Sequence, residues 1–280
     1  MKNAQKLNCA LIVSDFDGTL ANSDNEVSRQ NIQAINGYVS QGGVFAVCTG
    51  RILPSILPRV REIGLKGLVI ACQGSVIADI ESGKIIRNVK LTSAQTSYIC
   101  SKLEEVGANV QVFTDEGFYT DIAPEEEHLK LYEKITGIDA KFTDGEPVSQ
   151  YVLKRDIACQ KVASLVAYEE QAALFEKLTE IFGDEYEVTC SAKVLIEITP
   201  VGENKGTALK FLSDYYNIPR DKTCAIGDNL NDLSMIEEAG YGVAVGNSSP
   251  LLKEKAKIIT VTNDEHAVAK VIEEYGYARR

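Results

Sequence analysis

Short runs of uninterrupted apolar residues recur along the chain, and several alternate with stretches of helical spacing. ALIV (10–13), VFAVC (44–48) and LVIAC (68–72) are apolar at every position rather than at every second one. That pattern predicts strands buried on both faces, as in a parallel sheet covered by helices. Between them, 28–41 reads as a helix, with Ser28 as its N-cap and Gly42-Gly43 as its stop. A second helical stretch runs up to Ile63. The C-terminal part shows the same alternation. It comprises a helix over 205–216, the strand TCAIG (223–227), a helix over 231–238, strands GVAV (242–245) and IITV (258–261), and a last helix from about 265 to 275.

The middle of the chain follows another pattern. SVIADIESGKIIRNVKL reads as a hairpin turning at Glu81-Ser82-Gly83. An amphipathic helix is expected over 92–106, a strand at NVQVF and another at KVASLVAY. A helix over 169–182 and the strands YEVTC and VLIEIT follow. Hairpins mixed with helices predict an α+β module inserted into an α/β domain. The expected division is 1–86 and 191–280 for a doubly wound Rossmann-like core, and 87–190 for the inserted α+β cap.

Composition narrows the function classes. The chain has 280 residues, 45% hydrophobic and 25% charged, which suits a globular protein with room for a sizeable core. A formal net charge of −11 argues against nucleic acid or an anionic membrane as partner. The seven cysteines are scattered, odd in number and never spaced C-x-x-C, so buried reduced thiols are expected. Two histidines far apart leave no multi-histidine zinc site and little for a Ser-His-Asp triad. No segment reaches the ~20 apolar residues of a membrane span. The N-terminal stretch MKNAQKLNCALIVSD is interrupted by Asn8 and ended by Asp15, without a small-residue cleavage site. A leader is therefore not expected, and a cytoplasmic location is.

The chemistry concentrates where the buried strands stop. The first ends in Ser14-Asp15-Phe16-Asp17-Gly18-Thr19. Ligands of parallel α/β sheets bind beyond the carboxyl ends of the strands. Three later segments are expected on the same edge: VCTGR with Thr49, Gly50 and Arg51, IGDNLND with Asp228, Asn231 and Asp232, and TPVGENKG with Lys205 at a helix start. Clustered carboxylates repel, so a cation among them is expected, and with oxygen ligands alone Mg²⁺ fits. A lysine, a hydroxyl and helix-start amides suit phosphate oxygens. A carboxylate beside a phosphate can act as nucleophile, and a second can move protons. One alternative is a Ca²⁺ loop, because Asp15, Asp17 and Glu26 fall at the first, third and twelfth positions of an EF-hand. Leu20 stands where that loop needs glycine, and a strand rather than a helix precedes it.

DFDGTL, TGR, NKG and GDNLND together resemble the four motifs of the haloacid dehalogenase superfamily. The insert resembles its class II (type IIB) cap, and the stretch from KVASLVAYEEQAALFEKL to GDNLNDLSMIEEAGYGVAVGNS resembles the Cof-type sugar-phosphate phosphatases. The resemblance implies a Mg²⁺-dependent phosphomonoester hydrolase that forms an aspartyl phosphate. It implies Asp15 as nucleophile and metal ligand, and Asp17 as acid/base whose carbonyl also meets the metal. It implies Thr49, Gly50, Lys205 and Asn231 on the phosphate, Asp228 on the metal, and Asp232 in support. Gln73-Gly74 replaces the family's usual Asn-Gly, Val245-Gly246-Asn247-Ser248 its Met-Gly-Asn-Ala, and His266-Ala267-Val268 its Asp-Gly-Val.

The implied partner is a small phosphate ester such as a sugar phosphate, and the implied assembly a monomer or weak homo-oligomer. A phosphomutase using the same intermediate is the nearest alternative. A non-catalytic regulatory binding protein on the same fold is the other. Lys154, Arg155 and Lys161 are open to two readings, a sensor for a second anionic group or solvated surface charge.

Overall fold

The computed structural model describes residues 7–192 and 194–278. Positions 1–6, where the N-terminal stretch weighed as a leader begins, lie outside the described residues. In chain order the strands are β1 (Leu11–Ser14), β2 (Val44–Cys48), β3 (Leu68–Ala71), β4 (Val76–Asp79), β5 (Ile85–Asn88), β6 (Gln111–Thr114), β7 (Gly117–Thr120), β8 (Ala140–Phe142), β9 (Lys161–Leu165), β10 (Tyr186–Ala192), β11 (Leu195–Pro200), β12 (Thr223–Gly227), β13 (Tyr241–Ala244) and β14 (Ile258–Ile259).

Eight of these form one sheet in the order β14-β13-β12-β1-β2-β3-β4-β5. It is parallel from β14 to β3 and ends in the antiparallel β4–β5 hairpin. The alternation of side chains along β1 explains its two covers. Leu11 and Val13 pack on one face with Leu209 and Leu212, and Ile12 packs on the other with Ile35, Tyr38 and Val268. The helices responsible are α1 (Arg29–Ser40) and α10 (Ala267–Val271) on one side and α7 (Lys205–Tyr215) on the other. Ser28 caps α1 by accepting from the Asn31 N–H at 3.2 Å, as the sequence predicts.

The second sheet has the order β10-β11-β9-β6-β7-β8. Its outer face packs on α3 (Ser93–Glu105), α5 (Val148–Lys154) and α6 (Gln171–Phe182) through residues such as Leu103, Val152, Phe182 and Ile196. Phe113, Phe118, Ala163 and Leu195 face the other way and join Leu129 of α4 (Glu127–Thr136) in a cluster continuous with the larger sheet. The chain enters this unit after Asn88 and leaves it after Pro200. Arg87 and Glu203 join the two crossing segments by a bidentate ion pair, at 2.5 and 2.7 Å.

Three expectations require correction. The expected division at 190/191 falls inside β10, and β11, assigned to the core on sequence, pairs with β10 and β9 in the second sheet. VLIEIT is apolar enough to read as a core strand, but its antiparallel partners are those of the insert. The expected boundary at 86/87 falls inside β5, the second strand of the hairpin at Glu81-Ser82-Gly83, which extends the larger sheet. The last helix is interrupted at its start, where His266 adopts φ 63°. All seven cysteines are free and buried, as composition suggests. Among the described residues no helix is long and apolar enough to cross a membrane.

Candidate active site

Because β12, β1 and β2 are adjacent and parallel, with Ser14 in register with both Ile226 and Val47, their carboxyl ends share one edge. Asp15, Thr49 and Asp228 leave that edge side by side. The turn after β1 is tight: Asp17 is non-helical and Gly18 has φ 75°. A Cβ at Gly18 would stand 2.7 Å from Asp228 Oδ2. Gly18→Ala therefore meets left-handed strain, about 1–2 kcal/mol, and displaces a site carboxylate. Thermal melting is expected to register that loss, and activity is expected to fall at least tenfold.

Lys205 is the first residue of α7, whose start is fixed by the Asn204 side chain accepting from the Thr207 N–H at 3.0 Å. Its ammonium is fully buried and donates to Asp15 Oδ1 at 2.5 Å and Asp232 Oδ1 at 2.6 Å. Burial works against that charge, but Asp15 and Asp232 more than offset it and hold the lysine above its ordinary pKa. Asp232 Oδ2 accepts from the backbone N–H groups of Asp228 and Asn229, at 2.8 and 3.1 Å. Asp232 thus anchors the loop that presents Asp228. Asp228 Oδ1 accepts from the Thr19 hydroxyl at 2.9 Å.

The carboxylates of Asp15, Asp228 and Asp232 each place one oxygen within 4.8 Å of the others. Burial, opposed by Lys205 and reinforced by the neighbouring carboxylates, drives the Asp15 pKa well up. Burial and then Asp232 push Asp228 up to about 7. One lysine does not compensate this much buried negative charge. An all-oxygen set with excess charge fits a hard divalent cation and offers nothing to a soft one. The alternative Ca²⁺ loop is not assembled: Glu26 is exposed and Asp17 turns to a different partner.

That partner is Arg51, whose Nε and Nη2 bind the two Asp17 oxygens at 2.8 and 2.5 Å. Arg51 also donates to Asn25 Oδ1 and, across the gap between the sheets, to the carbonyl of Ile135 in α4. Thr49 is buried and its hydroxyl oxygen accepts from the Arg51 N–H. The Gly50 carbonyl accepts from Lys161 Nζ at 2.8 Å. Asn231 Nδ2 donates to Gln73 Oε1 at 3.1 Å.

A cavity of about 280 Å³ opens on this edge, lined by Asp15, Asp17, Thr49, Gly50, Asp228 and Asn231 from the larger sheet. The motif residues named from sequence are therefore gathered at one place. Lys205 and Asp232 lie beneath the cavity rather than in its wall. Lys154 and Arg155 do not reach it; both pair with Glu146 on the surface. Lys161 does line it, but as a buried partner of Glu197.

Three residues that the site uses have no role assigned from sequence. Arg51 is visible in TGR, yet its pairing with Asp17 depends on the turn at Gly18. Gln73 adopts φ 60° and links Asn231 to Glu197, so that core and insert meet through buried polar groups. Glu197 lies in a strand whose sequence reads as core. Two charges in KVASLVAY and VLIEIT, each in an apolar setting, are the available signal, because buried charges are paired.

Comparison with known proteins shows the family. The sequence profile of the haloacid dehalogenase-like hydrolases matches residues 12–272. Phosphatase YwpJ of Bacillus subtilis is 32% identical, over 94% of this chain and 98% of its own. From the same organism, 5-amino-6-(5-phospho-D-ribitylamino)uracil phosphatase YwtE is 30% identical over 94% and 96%. A solved haloacid dehalogenase-like hydrolase from B. subtilis superposes with a TM-score of 0.83 at 29% identity, covering 95% of this chain and 99% of that one. The chain belongs to the haloacid dehalogenase-like hydrolases, and the named relatives it resembles across nearly its whole length are phosphatases.

Proposed function

We propose that the protein hydrolyses small phosphomonoesters, with Mg²⁺ as cofactor and an aspartyl phosphate as intermediate. Sugar phosphates, implied by the motif resemblance, are one class of such substrates. The observation that carries the reading is the placement of Asp15: one oxygen held by a fully buried lysine, in the wall of a cavity that also contains Asp17. A carboxylate so held is oriented as a nucleophile rather than as a surface charge.

In the proposed reaction, Asp15 attacks phosphorus while the bond from phosphorus to the ester oxygen breaks, and Asp17 supplies the proton that the departing alkoxide takes. Water then attacks the phosphorus of the acyl phosphate and gives its proton to Asp17, releasing inorganic phosphate and restoring Asp15. The bidentate Arg51 contact suits the carboxylate form of Asp17, the form that accepts a proton from water. Delivering a proton in the first half requires that carboxyl to turn from Arg51 toward the departing ester oxygen, which leaves in line opposite Asp15. Thr49, the Gly50 amide and Asn231 are the proposed phosphoryl contacts, with Lys205 neutralising charge behind Asp15. Asp15 and Asp228 would hold the metal, with the Asp17 carbonyl beside them and Asp232 in support. When bound, the ion balances these carboxylates and polarises a phosphoryl oxygen. The insert is proposed to act as a cap that excludes bulk water.

Phosphate release from a panel of monoesters tests the reading. Excess chelator is expected to silence turnover and Mg²⁺ to restore it, without a need for Zn²⁺. Inorganic phosphate is expected to account for all ester consumed when products are resolved by phosphorus NMR. Full activity in chelator would overturn the metal assignment. A positional isomer as main product, with activation by a sugar bisphosphate, would overturn hydrolysis in favour of the mutase.

A further inference from the structure

The part of the cavity that faces the reacting carboxylates has an unusual make-up for a site expected to hold a sugar. Leu131 and Ile135 stand four residues apart on α4, hence on one helix face, and both line the cavity. They are 54% and 44% exposed, large apolar side chains left open to solvent. Leu165, Val194 and Leu195 continue the same lining from β9 and the approach to β11. Tyr132 lines it as well, its ring braced edge-on by Phe113 and Phe118 at 5.9 and 5.6 Å. Contiguous exposed apolar surface inside a cavity is what a weakly polar ligand group covers.

The charges lead to the same place. Among the described residues, Lys161 is the cation that the insert contributes to the lining. It is 1% exposed, is paired with Glu197 and donates to the Gly50 carbonyl. Glu197 in turn accepts from Gln73, so the charge of Lys161 is already balanced by a hydrogen-bonded carboxylate. Arg51 is engaged by Asp17, Asn25 and Ile135. A second phosphate would find no uncommitted cation in this lining. A chain of hydroxyls would meet mostly apolar side chains on this side of the cavity, where Ser191, Thr136 and Tyr132 carry the hydroxyls of the lining.

We infer that this site selects phosphomonoesters whose alcohol part is a compact, weakly polar ring group, in preference to open or cyclic polyol phosphates and to bisphosphates. The inference rests on the phosphatase reading for the location of the phosphoryl group, but it is tested through binding as well as turnover. The probes are benzyl phosphate, glucose-6-phosphate and fructose-1,6-bisphosphate, all esters of primary alcohols at the reacting end, so leaving-group chemistry does not decide the outcome.

Titration calorimetry on Asp15→Asn with Mg²⁺ reads affinity without chemistry, and kcat/KM on the native protein reads both. Benzyl phosphate is expected to bind at least tenfold tighter than either sugar ester and to show at least tenfold higher kcat/KM, the scale of hydrophobic-pocket discrimination. The double variant Leu131→Ser with Ile135→Ser is expected to lose most of that preference through KM, while the inhibition constant of inorganic phosphate stays unchanged. Both side chains are already solvent-facing, so the fold has little to lose. A preference below tenfold, a preference for either sugar ester, or a serine pair with unaltered KM would overturn the inference. Turnover of no ester at all would overturn the phosphatase reading, and the calorimetric ratio would still decide this one.

Discussion

Asp15→Asn is expected to abolish phosphate release and to leave the fold standing. The amide nitrogen and oxygen are too weakly nucleophilic to attack phosphorus, so the proposed covalent step disappears. Its loss is expected to cost at least three powers of ten in kcat, with each tenfold equal to about 1.4 kcal/mol. The fold survives because Lys205 keeps its second carboxylate, Asp232, at 2.6 Å. Replacing Asp15 removes one of two anions around one cation, and with it the burial cost that chiefly raises the Asp15 pKa and the lesser repulsion from the neighbouring carboxylates. The melting temperature is therefore expected to stay level or rise. Phosphate release by Asp15→Asn within tenfold of the native rate would remove Asp15 from the mechanism.

What makes Asp15 visible in the sequence is a local contradiction: a strand apolar at every position that ends in two carboxylates one residue apart. Strand ends, glycine turns and cap residues are local, and β1, α1 and α7 follow from them. Contacts set by the packing of two sheets are not local. Nothing in TGR says that Arg51 reaches both Asp17 and the carbonyl of Ile135, 84 residues away. Nothing in VLIEIT says that Glu197 finds Lys161 rather than solvent. The insert is the least legible part for the same reason. Strands β7 and β8 are short, and β8 is intermediate in burial throughout, so hydrophobic runs do not announce it. Helix α4 carries Leu131 and Ile135 outward into the cavity although its apolar residues share one face, so its sequence reads like that of a helix packed on a core.

That outward face and the buried pair behind it bear on substrate choice, whereas the four motifs bear on the reaction. The two sets of residues come from different sheets and meet in one cavity. Reaction chemistry is therefore readable from motif spacing, and selectivity has to wait for the packing of the insert against the core.

Lys205→Ala carries the second large effect, and here stability and activity fall together. The native ammonium is fully buried between Asp15 and Asp232. Truncation leaves both carboxylates in a poorly solvated site without their cation, and removing one member of a buried pair costs about 3–5 kcal/mol. Asp232 then holds the Asp228 loop less firmly, so the damage extends beyond the lost charge. Urea titration is expected to show the stability loss as a lower midpoint, and turnover is expected to drop by two or more powers of ten where the variant remains folded. Lys205→Arg separates the two effects. It keeps the positive charge and so recovers part of the stability. A planar fork has a different reach and geometry from a compact ammonium, and the fully buried site holds that ammonium between two carboxylates at 2.5 and 2.6 Å. Activity is therefore expected to stay low in Lys205→Arg. An arginine variant as active as the native protein would show that charge alone, and not the position of Lys205 between the two carboxylates, is what the reaction needs.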